Sequence, residues 1–259
     1  MNNKALLVVS FGTSLPGTRE RTITALEYAL SAAFPDRTFY RAWTSGMIRK
    51  KVQKEEGLKI DSVTGALERM IADGVKDLLV QPTHLLDGEE NRIMTDAIRS
   101  ASGSFDAVRI GAPLLYTEED IDRLADIMIR EYPLEGDQLF AWMGHGSSEM
   151  KVNVYDRLNE VLAQKGADNT VVGTVEFEPG FDPVQKKILE RKPRRVCLAP
   201  LMVVAGDHAV NDMADDEEDS WKSMISAQGC EPLCILRGLG EYESVRAIYI
   251  EHAKNAGEL

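Results

Sequence analysis

The alternation of strand-like and helix-like segments constrains the fold of this chain more than any other feature of its sequence. Short apolar runs, such as Ala5–Ser10 and Leu139–Met143, are each followed by a segment with apolar residues at helical spacing. The alternation continues to a terminal amphipathic segment, Ser244–Lys254. Strands that alternate with helices form parallel sheets with helices packed on their faces. The sequence therefore predicts an α/β fold.

The two halves of the chain look like weak copies of each other. The first half has Phe11 and Glu90 at the places where the second half has His145 and His208. Because only the second half carries both imidazoles, we expect the chemistry to reside there.

The length of 259 residues exceeds the usual size of one domain. We therefore expect two similar lobes, each a parallel sheet flanked by helices. The predicted N-terminal α/β lobe covers residues 1–134, and the predicted C-terminal lobe covers residues 135–259. Two such lobes are expected to leave a central cleft between them.

The composition excludes several classes of partner. The formal net charge is −12, which argues against nucleic acid or an anionic membrane surface. No run reaches the roughly 20 apolar residues of a membrane helix, and the N-terminal residues lack a signal-peptide pattern. Three cysteines without C-x-x-C spacing suit a reducing compartment and make a zinc–thiolate site unfavourable. A cytoplasmic protein is expected, and a homo-oligomer is left open.

Three strand-like runs in the second half end in potential metal ligands. His145 follows the run Leu139–Met143, Glu176 follows Thr170–Val175, and His208 follows the run that ends at Leu201. Because sequential parallel strands are usually neighbours, we expect the three side chains to meet at one edge of the sheet. Two imidazoles and a carboxylate form either a ligand set for a first-row metal or an acid–base set.

The first half offers weaker candidates at its own strand ends. The turn at 11–14 lacks both the G-x-G-x-x-G and the G-x-x-x-x-G-K-[ST] patterns, so nucleotide binding has no support. Its hydroxyls and amides suit a carboxylate, and simple capping by Ser14 is an equal alternative. His84 also lies at a predicted strand end and is a candidate ligand contact.

An acidic run follows His208. In a continuous helix, Asp212, Asp215 and Asp219 would form one stripe leading away from the imidazole and could pass metal ions inward. The favoured alternative is a solvated acidic loop.

Several segments together resemble the anaerobic sirohydrochlorin cobaltochelatases, which belong with ferrochelatase to the class II chelatases. The similar segments are Leu6–Ser14, Thr44–Ile48, Met143–Gly146, Val175–Glu176, Val204–Ala209, Asn211–Ala214 and Asp219–Lys222. The resemblance implies the chelatase fold and implies that His145, Glu176 and His208 bind the metal and assist its insertion. It further implies ATP-independent insertion of Co²⁺ into sirohydrochlorin or a close precorrin relative, in cobalamin biosynthesis.

In this interpretation the metal ion is a substrate, and no cofactor is obligatory. The tetrapyrrole carboxylates need polar partners, for which Ser10, Thr13, Ser14 and His84 are the candidates. One alternative is a non-catalytic tetrapyrrole or metal carrier that uses the same residues. Another is a serine hydrolase built on the sequence around His145, but the chain has no G-x-S-x-G elbow. The ligand set does not select among cobalt, nickel, iron and zinc.

Overall fold

The computed structural model describes residues 3–133, 136–147 and 154–259. The described strands are β1 (Lys4–Ser10), β2 (Thr38–Trp43), β3 (Asp77–Pro82), β4 (Ala107–Ile110), β5 (Gln138–Gly144), β6 (Thr170–Thr174), β7 (Arg195–Leu201), β8 (Glu231–Cys234) and β9 (Gly257–Glu258). The described helices are α1 (Pro16–Arg19), α2 (Ala25–Ala33), α3 (Gly46–Glu56), α4 (Val63–Ala72), α5 (Glu89–Ala101), α6 (Glu118–Glu131), α7 (Val154–Gln164), α8 (Asp182–Arg191), α9 (Trp221–Ala227) and α10 (Glu243–Lys254). Strands and helices alternate, as the sequence predicts.

The chain divides into two compact units. Unit 1 comprises Met1–Tyr116 and Gly240–Leu259, and unit 2 comprises Thr117–Leu239. Among the helices of the described residues, none is both long and apolar enough to cross a membrane.

Unit 1 contains a five-stranded sheet in the order β2-β1-β3-β4-β9. Its first four strands are parallel, whereas the short β9 pairs antiparallel with β4. The central strand β1 is buried along nearly its whole length, from Ala5 to Ser10. Such a continuous apolar run is expected for a parallel strand that is covered on both faces. The antiparallel β9 departs from the all-parallel prediction.

Unit 2 contains a four-stranded parallel sheet in the order β6-β5-β7-β8. The central strand β5 is apolar and buried, and its neighbours on either side are β6 and β7. In this register Gly144, the last residue of β5, lies opposite Thr174 of β6 and Leu201 of β7. The carboxyl ends of these three strands therefore lie side by side.

The two sheets share one topology. In each unit the first strand is central, the second and third flank it, and the fourth lies beyond the third. The expected similarity of two α/β lobes with parallel sheets is confirmed at the level of strand order.

The boundaries of the units differ from the predicted lobes at 1–134 and 135–259. Helix α6 contacts α7, and Lys165 after α7 forms ion pairs with Asp122 and Asp126 of α6, so α6 belongs to unit 2. Helix α10 contacts α2 and β3, so the C-terminal segment returns to unit 1. The predicted boundary between 134 and 135 lies outside the described residues.

Candidate functional site

The three predicted ligands lie together at the carboxyl ends of the three adjacent strands of unit 2. One ligand atom from each of His145, Glu176 and His208 lies within 4.8 Å of the others. His145 Nε2 is 3.9 Å from Glu176 Oε2, and the two imidazole centroids are 4.9 Å apart with ring planes at 84°. A metal ion with bonds of roughly 2 Å fits between atoms at this spacing. The predicted convergence of these residues is thus present in the structure.

The backbone of two strand ends brings His145 and Glu176 together. The pairing of β5 with β6 continues beyond the strands, because Val175 N donates to Gly144 O at 2.9 Å and Glu176 N donates to His145 O at 2.8 Å. Gly146 has a φ of +95°, and a Cβ there would lie 1.7 Å from Glu176 O. Only glycine at position 146 allows the segments that follow β5 and β6 to approach this closely.

The side chain of Tyr155 also contacts the loop that carries His145. Gly146 N donates to the Tyr155 hydroxyl at 3.2 Å, and the Tyr155 ring lies where a side chain at Gly144 would be. Burial raises the pKa of the Tyr155 phenol, so the group stays protonated and polar contacts to the loop are kept. Tyr155 therefore has a structural role that nothing in the sequence pattern indicated.

The orientation of His145 follows from its hydrogen bond. Its Nδ1 lies 3.1 Å from Gly146 O, and because a carbonyl oxygen only accepts, Nδ1 must donate. The lone pair is then on Nε2, the nitrogen that faces Glu176. This is the tautomer that a metal ligand requires.

His208 precedes a short π-helical turn, Ala209–Met213. The turn brings Asp212 Oδ2 to 2.8 Å from His208 Nδ1. Because the carboxylate accepts, Nδ1 donates and Nε2 keeps its lone pair. The geometry therefore leaves one nitrogen of each histidine available to an ion.

The cluster is accessible from solvent. The side chains of His145 and Glu176 are each 47% exposed, and that of His208 is 33% exposed. Three protein ligands leave further coordination positions open, as in catalytic metal sites. The arrangement can hold a hydrated divalent ion and exchange its remaining ligands.

The acidic segment after His208 does not form the predicted continuous stripe. The helical turn ends at Met213, and residues 214–220 adopt turns and bends. Asp212 contacts His208, whereas Asp216 pairs with Lys222 at 2.7 Å. The dense run of like charges favours a solvated loop, which is the alternative favoured in the sequence analysis.

The predicted ligand contacts of unit 1 are mostly buried. Ser10 is 2% exposed and accepts a hydrogen bond from Thr83 Oγ1 at 2.8 Å, and the buried Thr13 accepts one from Leu15 N. His84 is 8% exposed, and burial lowers its pKa to about 4. Ser14 alone of the four is partly exposed. Ser10, Thr13 and His84 therefore expose little side-chain surface in this structure, and ligand contact by all four residues stays a prediction.

The sequence around His145 includes Ser148, and the apolar spacing after it predicts a helix over Met150–Leu162, but residues 148–153 lie outside the described residues. The helix is described from Val154 onwards.

Comparison with known proteins identifies the family. The model of the family described as cobalt chelatase (CbiK) matches residues 4–258. The chain belongs to this family. Among curated relatives of this cobalt chelatase family, the chain is 37% identical to the sirohydrochlorin cobaltochelatase of Salmonella typhimurium, over 98% of this chain and 96% of that protein. It is 30% identical to sirohydrochlorin cobaltochelatase CbiKC of Nitratidesulfovibrio vulgaris, over 97% and 90% of the two chains.

Solved structures show the same fold at low sequence identity. The structure of CbiX, described as the terminal enzyme of siroheme biosynthesis in denitrifying bacteria, aligns with a TM-score of 0.56 and 16% identity over 97% of this chain and 99% of that chain. SirB from Bacillus subtilis with Fe³⁺ aligns with a TM-score of 0.61 and 13% identity over 97% and 94%. The predicted chelatase fold and the predicted family are both confirmed.

In this member of the cobalt chelatase family, the contact of Asp212 with His208 and the backbone conformation of Phe177 were not predicted from the sequence. The i+4 spacing of Asp212 from His208 is a sequence signal for their contact. The strained backbone at Phe177, with a φ of +57°, had no signal in the sequence.

Proposed function

We propose that this protein inserts Co²⁺ into sirohydrochlorin without ATP, using His145, Glu176 and His208. The observation that carries the proposal is the convergence of these ligand atoms within 4.8 Å at three adjacent strand ends. The relationship to two sirohydrochlorin cobaltochelatases over nearly the whole chain supports the choice of substrates. The ion is a substrate, and no further cofactor is needed in this scheme.

The donor set suits an ion that must be released. Neutral imidazoles and one carboxylate bind first-row divalent ions, and they lack the affinity of thiolates for soft metals. Cys197 and Cys230 are buried, and burial raises the pKa of both thiols, which keeps them protonated. Capture by imidazole and carboxylate therefore leaves the ion free to pass to the macrocycle.

The same residues are suited to accept protons. Insertion of M²⁺ into a tetrapyrrole releases two pyrrole N–H protons. As the ion moves from the protein to the macrocycle nitrogens, His145 Nε2 and Glu176 regain free lone pairs. General bases at this position remove the protons where they are released. The stability of the product chelate then supplies the driving force in place of ATP.

The test is an anaerobic absorbance assay with sirohydrochlorin and Co²⁺, repeated with Fe²⁺ and Ni²⁺. We expect His145→Ala and His208→Ala to reduce the metallation rate at least about a hundredfold, since each removes a ligand. The melting temperature should change little because both side chains are solvent-accessible. His252→Ala on α10 serves as the control and should retain activity.

Two outcomes would contradict the proposal. Near-normal turnover by His145→Ala or His208→Ala would exclude the replaced histidine as an essential metal ligand. Stoichiometric binding of ion or macrocycle without faster metallation would instead identify a carrier. The cytoplasmic location and the state of oligomerisation stay predictions.

A further inference from the structure

Phe177 is an exposed aromatic residue held in an unfavourable backbone conformation beside the candidate metal site. It directly follows Glu176 and is 54% exposed. Its φ of +57° lies in the left-handed region, which bulky L residues rarely adopt. Among the described residues, Lys192 is the one other non-glycine residue with a positive φ, and it occupies the end of helix α8, where such a conformation is common.

The surrounding turn maintains this conformation. Thr174 Oγ1 donates to Phe177 O at 2.8 Å and accepts from Gly180 N at the same distance. Gly180 N also lies 3.1 Å from Phe177 O, and Thr174 N donates to Gly180 O at 2.9 Å. Thr174 is 1% exposed, so the anchor of the turn is rigid. A strained residue persists where its surroundings fix it in this way, and such residues cluster at functional sites.

Exposure alone does not distinguish Phe177. Leu189 on α8 is 64% exposed, and single exposed apolar side chains are normal on protein surfaces. Phe177 differs in that its backbone is strained, its side chain is aromatic and it directly follows the predicted metal ligand Glu176 in sequence. A second apolar side chain, Val210, is 40% exposed two residues after His208. An exposed apolar residue thus lies within two positions in sequence of two of the three ligands.

We propose that Phe177 is a substrate-contacting residue whose ring packs against the face of the tetrapyrrole and orients the macrocycle over the metal ligands. This inference rests on the proposed function. A conjugated macrocycle presents a broad apolar face, and aromatic side chains pack on such faces in offset or edge-on geometry. Because 54% of Phe177 is exposed, its ring is not taken up by the core and is accessible to a ligand.

The experiment compares Phe177→Gly and Phe177→Tyr with two control variants. Lys192→Gly removes the backbone strain at the other described non-glycine residue with a positive φ. Leu189→Ala removes another exposed apolar side chain. The measurements are the affinity for metal-free sirohydrochlorin by absorbance titration, the affinity for Co²⁺ alone, the KM values and the melting temperature.

Phe177→Gly should weaken sirohydrochlorin binding and raise its KM about tenfold, which corresponds to the loss of one aromatic contact. Its Co²⁺ affinity should stay within about twofold of wild type, and its melting temperature should be unchanged or higher, because glycine adopts a positive φ without a Cβ penalty. Phe177→Tyr should bind sirohydrochlorin like wild type. Neither control variant should alter sirohydrochlorin binding.

Unchanged sirohydrochlorin affinity in Phe177→Gly would overturn the inference, as would an equal loss in Lys192→Gly. A parallel loss of Co²⁺ affinity would also overturn it, because the residue would then act by positioning Glu176. If wild type binds sirohydrochlorin but does not metallate it, the proposed function fails while the titration still decides the role of Phe177.

Discussion

At the scale of single residues, the contact between His208 and Asp212 determines which imidazole nitrogen is available to a metal ion. The carboxylate accepts from Nδ1 at 2.8 Å, so the lone pair is held on Nε2. Hydrogen-bond partners of this kind fix both the tautomer and the ring orientation of metal-binding histidines. Asp212 is therefore expected to act through His208 without binding the ion itself.

Replacement of Asp212 tests this role. Asp212→Ala should weaken Co²⁺ binding about tenfold, and Asp212→Asn should retain most of the affinity because its amide oxygen can still accept from Nδ1. Asp215→Ala, in the exposed acidic loop, is the control for loss of charge. Isothermal titration with Co²⁺ measures the difference. Equal losses for Asp212→Ala and Asp215→Ala would mean that only the overall charge matters.

The residues of the candidate site were predictable to different degrees. His145, Glu176 and His208 were found because strand ends in a parallel sheet meet at one edge, a rule that needs only the strand positions. The burial of Ser10, Thr13 and His84 was not predictable, since burial depends on how β1 and β3 are covered by other segments. The roles of Asp212 and Tyr155 depend on local turn geometry, which sequence periodicity does not encode.

At the scale of elements, the site depends on how closely the ends of β5 and β6 approach. Gly146→Ala should disrupt this approach, because its Cβ would lie 1.7 Å from Glu176 O. We expect a lower melting temperature and a loss of Co²⁺ binding. Gly166→Ala is the matched control: Gly166 has a φ of +75° with open space around it, so the variant has backbone strain alone. Similar melting temperatures and Co²⁺ affinities for the two variants would contradict the steric argument.

Strand positions were predicted more accurately than the segment after His208. The strand-like runs Thr38–Trp43 and Ala107–Ile110 predict two strands at the observed bounds of β2 and β4, because strands have a recognisable apolar signal. The π-helical turn at Ala209–Met213 has no distinct sequence signal and was predicted only as a helix start.

At the scale of the whole molecule, His84 links global stability to pH. Burial lowers its pKa from 6.5 to about 4, and Asn91, which also contacts Asp87, is its hydrogen-bond partner. Between pH 6.5 and 4 the unfolded chain takes up a proton that the folded protein does not, so stability falls as the pH falls. The expected contribution is a loss of about 2 kcal/mol from pH 7.5 to pH 5.

The measurement is urea unfolding of wild type and His84→Phe at both pH values. The difference between pH 7.5 and pH 5 should be smaller in His84→Phe by about 2 kcal/mol, whatever the absolute stability of the variant. The other titrating groups contribute equally to the pH dependence of both proteins, so their contributions cancel in this comparison. An identical pH dependence for the two proteins would show that folding does not lower the pKa of His84.

The boundaries of the units illustrate a limit of sequence patterns at this scale. The alternation of strands and helices indicates how many elements there are, but it does not indicate which sheet the last helix joins. Tyr249 of α10 donates to the carbonyl oxygens of Thr83 and His84 in unit 1, more than 160 positions earlier in the chain. Such long-range contacts are determined by tertiary packing. The sequence pattern that predicts a boundary at 134/135 carries no information about them.

The return of residues 240–259 to unit 1 has a consequence for synthesis on the ribosome. Unit 2 is continuous in sequence, whereas unit 1 lacks α10 and β9 until the residues after Leu239 have been translated. A nascent chain released as far as Leu239 contains every strand of the second sheet, but the first sheet still lacks its edge strand and the helix packed against β3. The unit that carries the candidate metal ligands can therefore be complete before residues 240–259 have joined the unit whose first part was translated earlier.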